Sequence, residues 1–183
     1  MSQFIALLRA INVGHGRTLK MASLRRFFES LGFSEVTTLT SSGNVVFETR
    51  AKNVKRLEIK IEKRLREALG YDVAVLIRSD AELAKIANYK PFPKSKIDSA
   101  AEFNIIFLKN RLDDKLKRKI IALRTDTNEF RVHGREIYWL RRKKPNSSNF
   151  STPPLEKMIG KPFTIRGAKT VKKMAKKYSA SGP

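Results

Sequence analysis

The chain has 183 residues, of which 41% are apolar and 9% aromatic, a composition typical of a folded protein rather than a disordered one. It has no cysteine and two histidines, which excludes a disulfide scaffold, a thiol nucleophile and a cysteine-ligated metal site. With 39 basic and 17 acidic residues, the formal net charge is +22. This charge favours an anionic partner but identifies no reaction.

The positive charge is concentrated toward the carboxyl terminus. Residues 141–183 contain 12 lysines and arginines and one acidic residue, so they carry half of the net charge. A local surplus of this kind attracts polyanions by counterion release, without any recognition of sequence. The alternative interpretation is a basic surface that serves only solubility.

The first half of the chain follows the order β-α-β-β-α-β. Strands are predicted over 4–8, 36–39, 45–48 and 73–77, and helices over 21–31 and 54–69. The second helix has apolar residues at helical spacing, with Asn53 placed to cap its start and Gly70 its end. This order is that of ferredoxin-like folds, in which two amphipathic helices cover one face of a four-stranded sheet.

The second half repeats the order more loosely. A short helix over 80–87 runs into a proline-containing link within 79–99. Strands are then predicted over 103–108, 130–132, 136–140 and 163–165, and helices over 112–123, 153–159 and 169–178. We expect an α+β protein with two small subdomains, a ferredoxin-like one over 1–79 and a second α+β unit with a basic C-terminal helix over 80–183. The halves share topology but no visible residue-level repeat.

Several segments carry a recognisable signature. They are IALLRAINVG at 5–14, MASL at 21–24, LGF at 31–33, SGNVVF at 42–47, YWL at 138–140 and RGAKTV at 166–171. They resemble an uncharacterised bacterial family, domain of unknown function sixteen-ninety-seven, whose members typically begin with "ALLRGINVGG". The resemblance implies two α+β subdomains, the first ferredoxin-like, and it implies no activity. Ala10 and His15 stand where the family usually has glycine, so a site that used those glycines would differ here.

The first candidate site is the loop between the first strand and the first helix. A glycine-bearing turn exposes backbone N–H groups, a helix N-terminus adds partial positive charge, and basic side chains complete an anion cradle. In a ferredoxin-like order, the polar turn before the third strand lies at the same edge of the sheet, so Asn12 and Asn44 are predicted to face one pocket. The predicted anion-binding residues are Arg9, Asn12, Gly14, Gly16, Arg17, Lys20 and Asn44. The alternative is a loop that needs glycine only for its turn.

The second candidate site is the basic C-terminal region. An apolar stripe on the last helix is opposed by a lysine face, and a basic cluster follows the second predicted hairpin. The predicted nucleic-acid-binding residues are Arg141, Arg142, Lys143, Lys144, Lys169, Lys172, Lys173, Lys176 and Lys177. The alternatives are a docked helix with a solvated lysine face and, less favoured, a membrane-surface helix.

A further alternative is an RNA-recognition sheet, which needs stacking aromatics on its central strands. Phe103, Phe107, Tyr138 and Trp139 lie on suitable strands. No nucleophile motif or metal-ligand spacing frames a reaction, so no catalytic residue, metal or cofactor is assigned. We expect a cytoplasmic protein with no membrane segment, because the apolar run at 4–8 lacks a basic flank and ends at Arg9.

The sequence therefore favours binding of a phosphate-rich polyanion, with nucleic acid first, through backbone electrostatics. The alternative function is a small-molecule anion site, or an enzyme acting on a phosphorylated metabolite, at the first strand–helix loop. The oligomeric state does not follow from these patterns.

Overall fold

The computed structural model describes residues 1–9, 11, 19–39, 43–142 and 153–178. It is a mixed α+β structure with two four-stranded antiparallel sheets. The chain divides into two compact units, Met1–Leu83 and Ala84–Pro183. This division falls inside a helix. A subdomain boundary after residue 79, at the end of a strand, remains our proposal.

The first unit has the predicted order of elements. They are β1 (Ser2–Leu8), α1 (Met21–Glu29), β2 (Ser34–Leu39), β3 (Asn44–Thr49), α2 (Val54–Leu69) and β4 (Val75–Ser79). The strands are arranged β2-β3-β1-β4, with every neighbouring pair antiparallel. This arrangement confirms the ferredoxin-like fold of the first unit.

The core of the first unit lies between its helices and one face of its sheet. Alternate residues of β1 face this core, because side chains of a strand alternate between the two faces. Leu57, Ile61 and Leu65 of α2 are buried in the same core. The phenyl rings of Phe33 and Phe47 stack with centroids 4.5 Å apart. Burial of these apolar side chains is the main force that holds the sheet and helices together.

The caps predicted for α2 are present. The side chain of Asn53 accepts a hydrogen bond from the backbone N–H of Arg56 at 3.1 Å. Gly70 ends the helix with a φ of 75°, in the left-handed region that favours glycine. Local sequence therefore sets both ends of this helix.

The second unit repeats the first. After α3 (Asp80–Asn88), its elements are α4 (Lys94–Asp98), β5 (Ala100–Leu108), α5 (Asp114–Ala122), β6 (Asn128–His133), β7 (Glu136–Arg142), α6 (Pro153–Ile159), β8 (Phe163–Gly167) and α7 (Ala168–Tyr178). The strands are arranged β6-β7-β5-β8, the same order as in the first sheet, again antiparallel. As predicted, the strand near 163–165 is an edge strand. The core includes Ile106, Ile120 and Leu155, and α7 packs on β5 and β8.

The bounds of most elements differ from the predicted bounds by up to three residues, and one helix was not predicted. β4 runs to Ser79 rather than ending near residue 77, because Arg78 is a buried strand residue with only 1% of its surface exposed. α4 was not predicted, because Pro91 and Pro93 indicated irregular chain. Pro93 instead occupies the position before the helix, where a missing backbone N–H costs no helical hydrogen bond. In the described part of the chain, no helix has the length and apolar character needed to cross a bilayer.

Candidate functional site

The loop of the first candidate site lies mostly outside the described residues. Asn12, Gly14, Gly16 and Arg17 fall in that part of the chain, and their contacts remain predictions. The antiparallel register pairs Leu7 with Asn44, so β3 does begin at the edge where β1 ends. The Asn44 side chain is fully buried, while Lys20 is exposed just before α1.

Backbone hydrogen bonds hold three segments of the chain close together at this edge of the sheet. The backbone N–H of Leu8 donates to the carbonyl of Gly43 at 2.8 Å, and that of Arg9 donates to Ala74 at 2.9 Å. Gly43 has a φ of 74°, and a Cβ there would lie 2.5 Å from Cδ1 of Ile11. The glycine of the SGN segment therefore has a structural reason of its own, a left-handed turn packed against an isoleucine.

The lysines of α7 form one continuous face. Their positions follow the i, i+3, i+4, i+7, i+8 spacing that places side chains on one side of a helix. All five are exposed: Lys169, Lys172, Lys173, Lys176 and Lys177. The helix contains no acidic residue, and no carboxylate of the described chain lies within ion-pair distance of any of the five. At 1.5 Å per residue the stripe is about 12 Å long.

The opposite face of α7 fixes the lysine stripe in place. Val171, Met174 and Ala175 are buried, so the amphipathic pattern predicted from the sequence is confirmed. Lys169 and Lys172 also line a cleft of about 500 Å³ beside the start of β5. The lysine stripe is therefore presented by a packed helix, not by a loose terminus.

Two arginines of the predicted basic cluster are engaged within the second unit. Nη2 of Arg142 lies 3.0 Å from Oε2 of Glu129, and Nη1 of Arg141 lies 3.6 Å from Oε1 of Glu102. Lys143 and Lys144 lie outside the described residues. Carboxylates of the same unit partly neutralise the charges of these two arginines. The lysines of α7 therefore present the more available positive charge.

Glu129 is the centre of this internal network. Its side chain is 2% exposed, and its carboxylate also lies 3.0 Å from Nζ of Lys96 and 2.9 Å from Nη2 of Arg131. Burial by itself raises the pKa of Glu129, but the hydrogen bond and charge of Lys96, with the charges of both arginines, outweigh it. The pKa therefore lies below its usual value, and the network anchors α4 to the sheet.

Comparison with known proteins identifies a family for this chain and a solved structure with a similar fold. The model of the family described as Protein of unknown function (DUF1697) matches residues 1–138. The chain belongs to this family. No curated protein matches this DUF1697-family chain. Among solved structures, that of the conserved bacterial protein SP0830 from Streptococcus pneumoniae is similar, with a TM-score of 0.73 and 23% identity, covering 97% of this chain and 98% of that one. At this identity the likeness shows the fold alone.

In this DUF1697-family protein, the aromatic residues of the second sheet serve packing. Phe107, Tyr138 and Trp139 are each at most 5% exposed. The indole Nε1 of Trp139 donates a buried hydrogen bond to Oδ1 of Asn128 at 2.8 Å. These three rings are not displayed to a base, and only Phe103 is half-buried, at the edge of the α7 cleft. An RNA-recognition sheet of the kind considered from the sequence is therefore not favoured.

The described residues assemble no metal centre, since nowhere among them do three histidine or carboxylate side chains converge. Sequence reasoning also missed one cluster, a small cavity at the β5–α5 loop lined by Lys109, Arg111 and Lys161. Its members lie up to 52 positions apart, and no local pattern joins them. The signal that would have found it is the topology itself, because this loop corresponds to the first candidate loop in the other unit.

Proposed function

We propose that this protein binds a phosphate-rich polyanion, with nucleic acid as the leading class, through the lysine face of α7. The observation that carries the proposal is the set of five exposed lysines on one side of a helix without acidic residues. Other helices mix charges of both signs. On α2, for example, Glu62 and Glu67 lie among the basic residues.

The dimensions of the stripe suit a phosphate backbone. One strand of duplex DNA carries a phosphate about every 3.4 Å along the axis, so a stripe of about 12 Å spans three to four phosphates. Lysine ammonium groups act as point charges and release condensed counterions from the backbone. Contacts of this kind set affinity without reading sequence.

The test is fluorescence anisotropy with labelled single-stranded and duplex oligonucleotides at several salt concentrations. If all five lysines contact duplex phosphates, the logarithm of the association constant should fall linearly with the logarithm of the salt concentration. The magnitude of this slope should be at most about 4.5. In the triple variant Lys172→Gln, Lys173→Gln, Lys176→Gln, the slope should become shallower by about 2.7 units for a duplex. All three positions are exposed, so the fold should persist.

The matched control removes three exposed charges from α2: Lys55→Gln, Arg56→Gln and Lys63→Gln. It changes net charge equally, and it should leave most of the affinity and slope intact. Equal weakening of both triple variants would show that net charge, and not the α7 face, attracts the probe. Absence of binding at low salt would reject the proposal outright.

A further inference from the structure

We propose that the second unit holds a separate site for a small phosphorylated ligand, in the cavity between the β5–α5 loop and the α6–β8 connection. The cavity has a volume of about 210 Å³. Its polar lining comes from Lys109, Asn110, Arg111, Asp113 and Lys161. Three cations and one carboxylate give the lining a formal charge of +2. None of these residues belongs to α7, so the site is independent of the function proposed above.

The fold brings the two sides of the cavity together. Leu108 pairs with Phe163 in the register of β5 and β8, so the residues just after one strand lie beside those just before the other. Gly160 ends α6 with a φ of 62°, and Lys161 follows that turn directly. On the other side, the backbone N–H of Leu108 is held by the carbonyl of Arg135 at 2.9 Å. The cations are thus placed by strand pairing rather than by chance proximity of loops.

Two of the cations have their charge available. Arg111 and Lys161 are exposed, and neither has a hydrogen bond or ion pair with any residue that the structure describes. The one carboxylate is already used, because Oδ1 of Asp113 accepts a hydrogen bond from the backbone N–H of Leu116 at 2.7 Å. Asp113 therefore caps α5 and keeps its negative charge, so the lining retains a formal net charge of +2.

The size and chemistry of the cavity define the ligand class. Sites for drug-sized molecules have volumes of about 300–1,000 Å³, so this cavity suits a smaller occupant. A guanidinium binds phosphate oxygens in a bidentate manner, and an ammonium adds a point charge. Leu108, Leu112 and Ile159 supply an apolar wall. A short phosphomonoester or a pyrophosphate group meets these requirements. A large polyanion does not fit inside the cavity.

The test uses inorganic pyrophosphate as the probe, with the full chain followed by ¹H–¹⁵N NMR and titration calorimetry. Saturable shifts confined to the amides of residues 108–116, 159–161 and 163 are expected. Because a charge-assisted hydrogen bond is lost, Arg111→Gln and Lys161→Gln should each weaken binding roughly tenfold or more. Lys115→Gln, an exposed control on α5 outside the cavity lining, should change affinity less than about twofold.

Other results would overturn the assignment. Shifts that do not saturate, or equal affinity in both cavity variants and the wild type, would show that no site exists. Shifts that map to α7 and vanish in the α7 triple variant would show that the lysine stripe, and not the cavity, holds pyrophosphate. By contrast, a triple variant that keeps pyrophosphate binding and loses oligonucleotide binding would support two independent sites.

Discussion

Arg78 in β4 and Arg166 in β8 occupy the same position in two sheets. Arg78 lies opposite Ile5 of β1, and Arg166 lies opposite Ile105 of β5. Both side chains are buried, and each donates from Nη1 to the carbonyl of the preceding residue, at 2.9 Å and 2.8 Å. The two halves therefore share, besides their topology, one buried arginine at an equivalent register position.

The first prediction concerns Arg166, for which burial lowers the pKa to about 10. Burial thus disfavours the charge, while the aliphatic stem fills core volume. Arg166→Ala should lower the free energy of unfolding by about 2–4 kcal/mol through the cavity it leaves. Arg166→Met, which keeps most of the volume and removes the charge, should cost clearly less. Urea unfolding measures both, and equal losses would show that the hydrogen bonds, not the volume, matter.

The second prediction concerns Gly43. Gly43→Ala places a Cβ 2.5 Å from Cδ1 of Ile11 and imposes left-handed backbone on alanine, so stability should fall by about 2–4 kcal/mol. Gly32 is a matched control with a φ of 79° and no atom within 4 Å of the added Cβ. Gly32→Ala should cost only about 1–2 kcal/mol. Thermal unfolding of the two variants separates the effect of the contact with Ile11 from the effect of the left-handed backbone. Equal losses of stability in both variants would show that the contact with Ile11 contributes nothing.

The third prediction is a pH dependence. The folded-state pKa of Glu129 lies below its usual 4.5, so its ion pairs stabilise the fold above that value, and the contribution is lost as pH falls through the folded-state pKa. At pH 7, Glu129→Gln should lower the free energy of unfolding by about 1–3 kcal/mol, because three cations lose a buried carboxylate. The difference between wild type and variant should shrink below pH 4.5. A difference that stays constant down to pH 2 would contradict this account.

The fourth prediction concerns the hydrogen bond between Trp139 and Asn128. Asn128→Ala leaves the buried indole N–H without its acceptor and should cost about 1–3 kcal/mol. Asn128→Asp keeps an acceptor oxygen and should retain part of the stability. Because the chain has one tryptophan, its fluorescence reports on this position directly. An unchanged emission and stability in Asn128→Ala would show that the bond contributes nothing.

Local patterns in the sequence predicted most of the fold. Periodicity located the helices, and capping chemistry fixed their ends, as Asn53 and Gly70 show. Such features depend on neighbours within a few positions, so a single sequence contains them. The lysine face of α7 was predicted for the same reason, because a helix turns spacing into direction.

Features made by distant residues were not predictable. The strand predicted over 130–132 did not include Glu129, but Glu129 is a buried residue of β6 whose three cations come from α4, β6 and β7. The cavity at the β5–α5 loop likewise joins Arg111 to Lys161 through strand register. Sequence reasoning has no access to that register until the sheet order is known.

The lysine stripe also affects the stability of α7. Lys169 and Lys173, Lys172 and Lys176, and Lys173 and Lys177 lie one turn apart, and each like-charged pair disfavours the helix by about 0.2–0.5 kcal/mol. Self-repulsion therefore lowers the stability of the helix in dilute buffer, and counterions or a bound anion reduce this repulsion. The last turns of α7 should become more stable as ionic strength rises, and slower amide exchange there would detect the change.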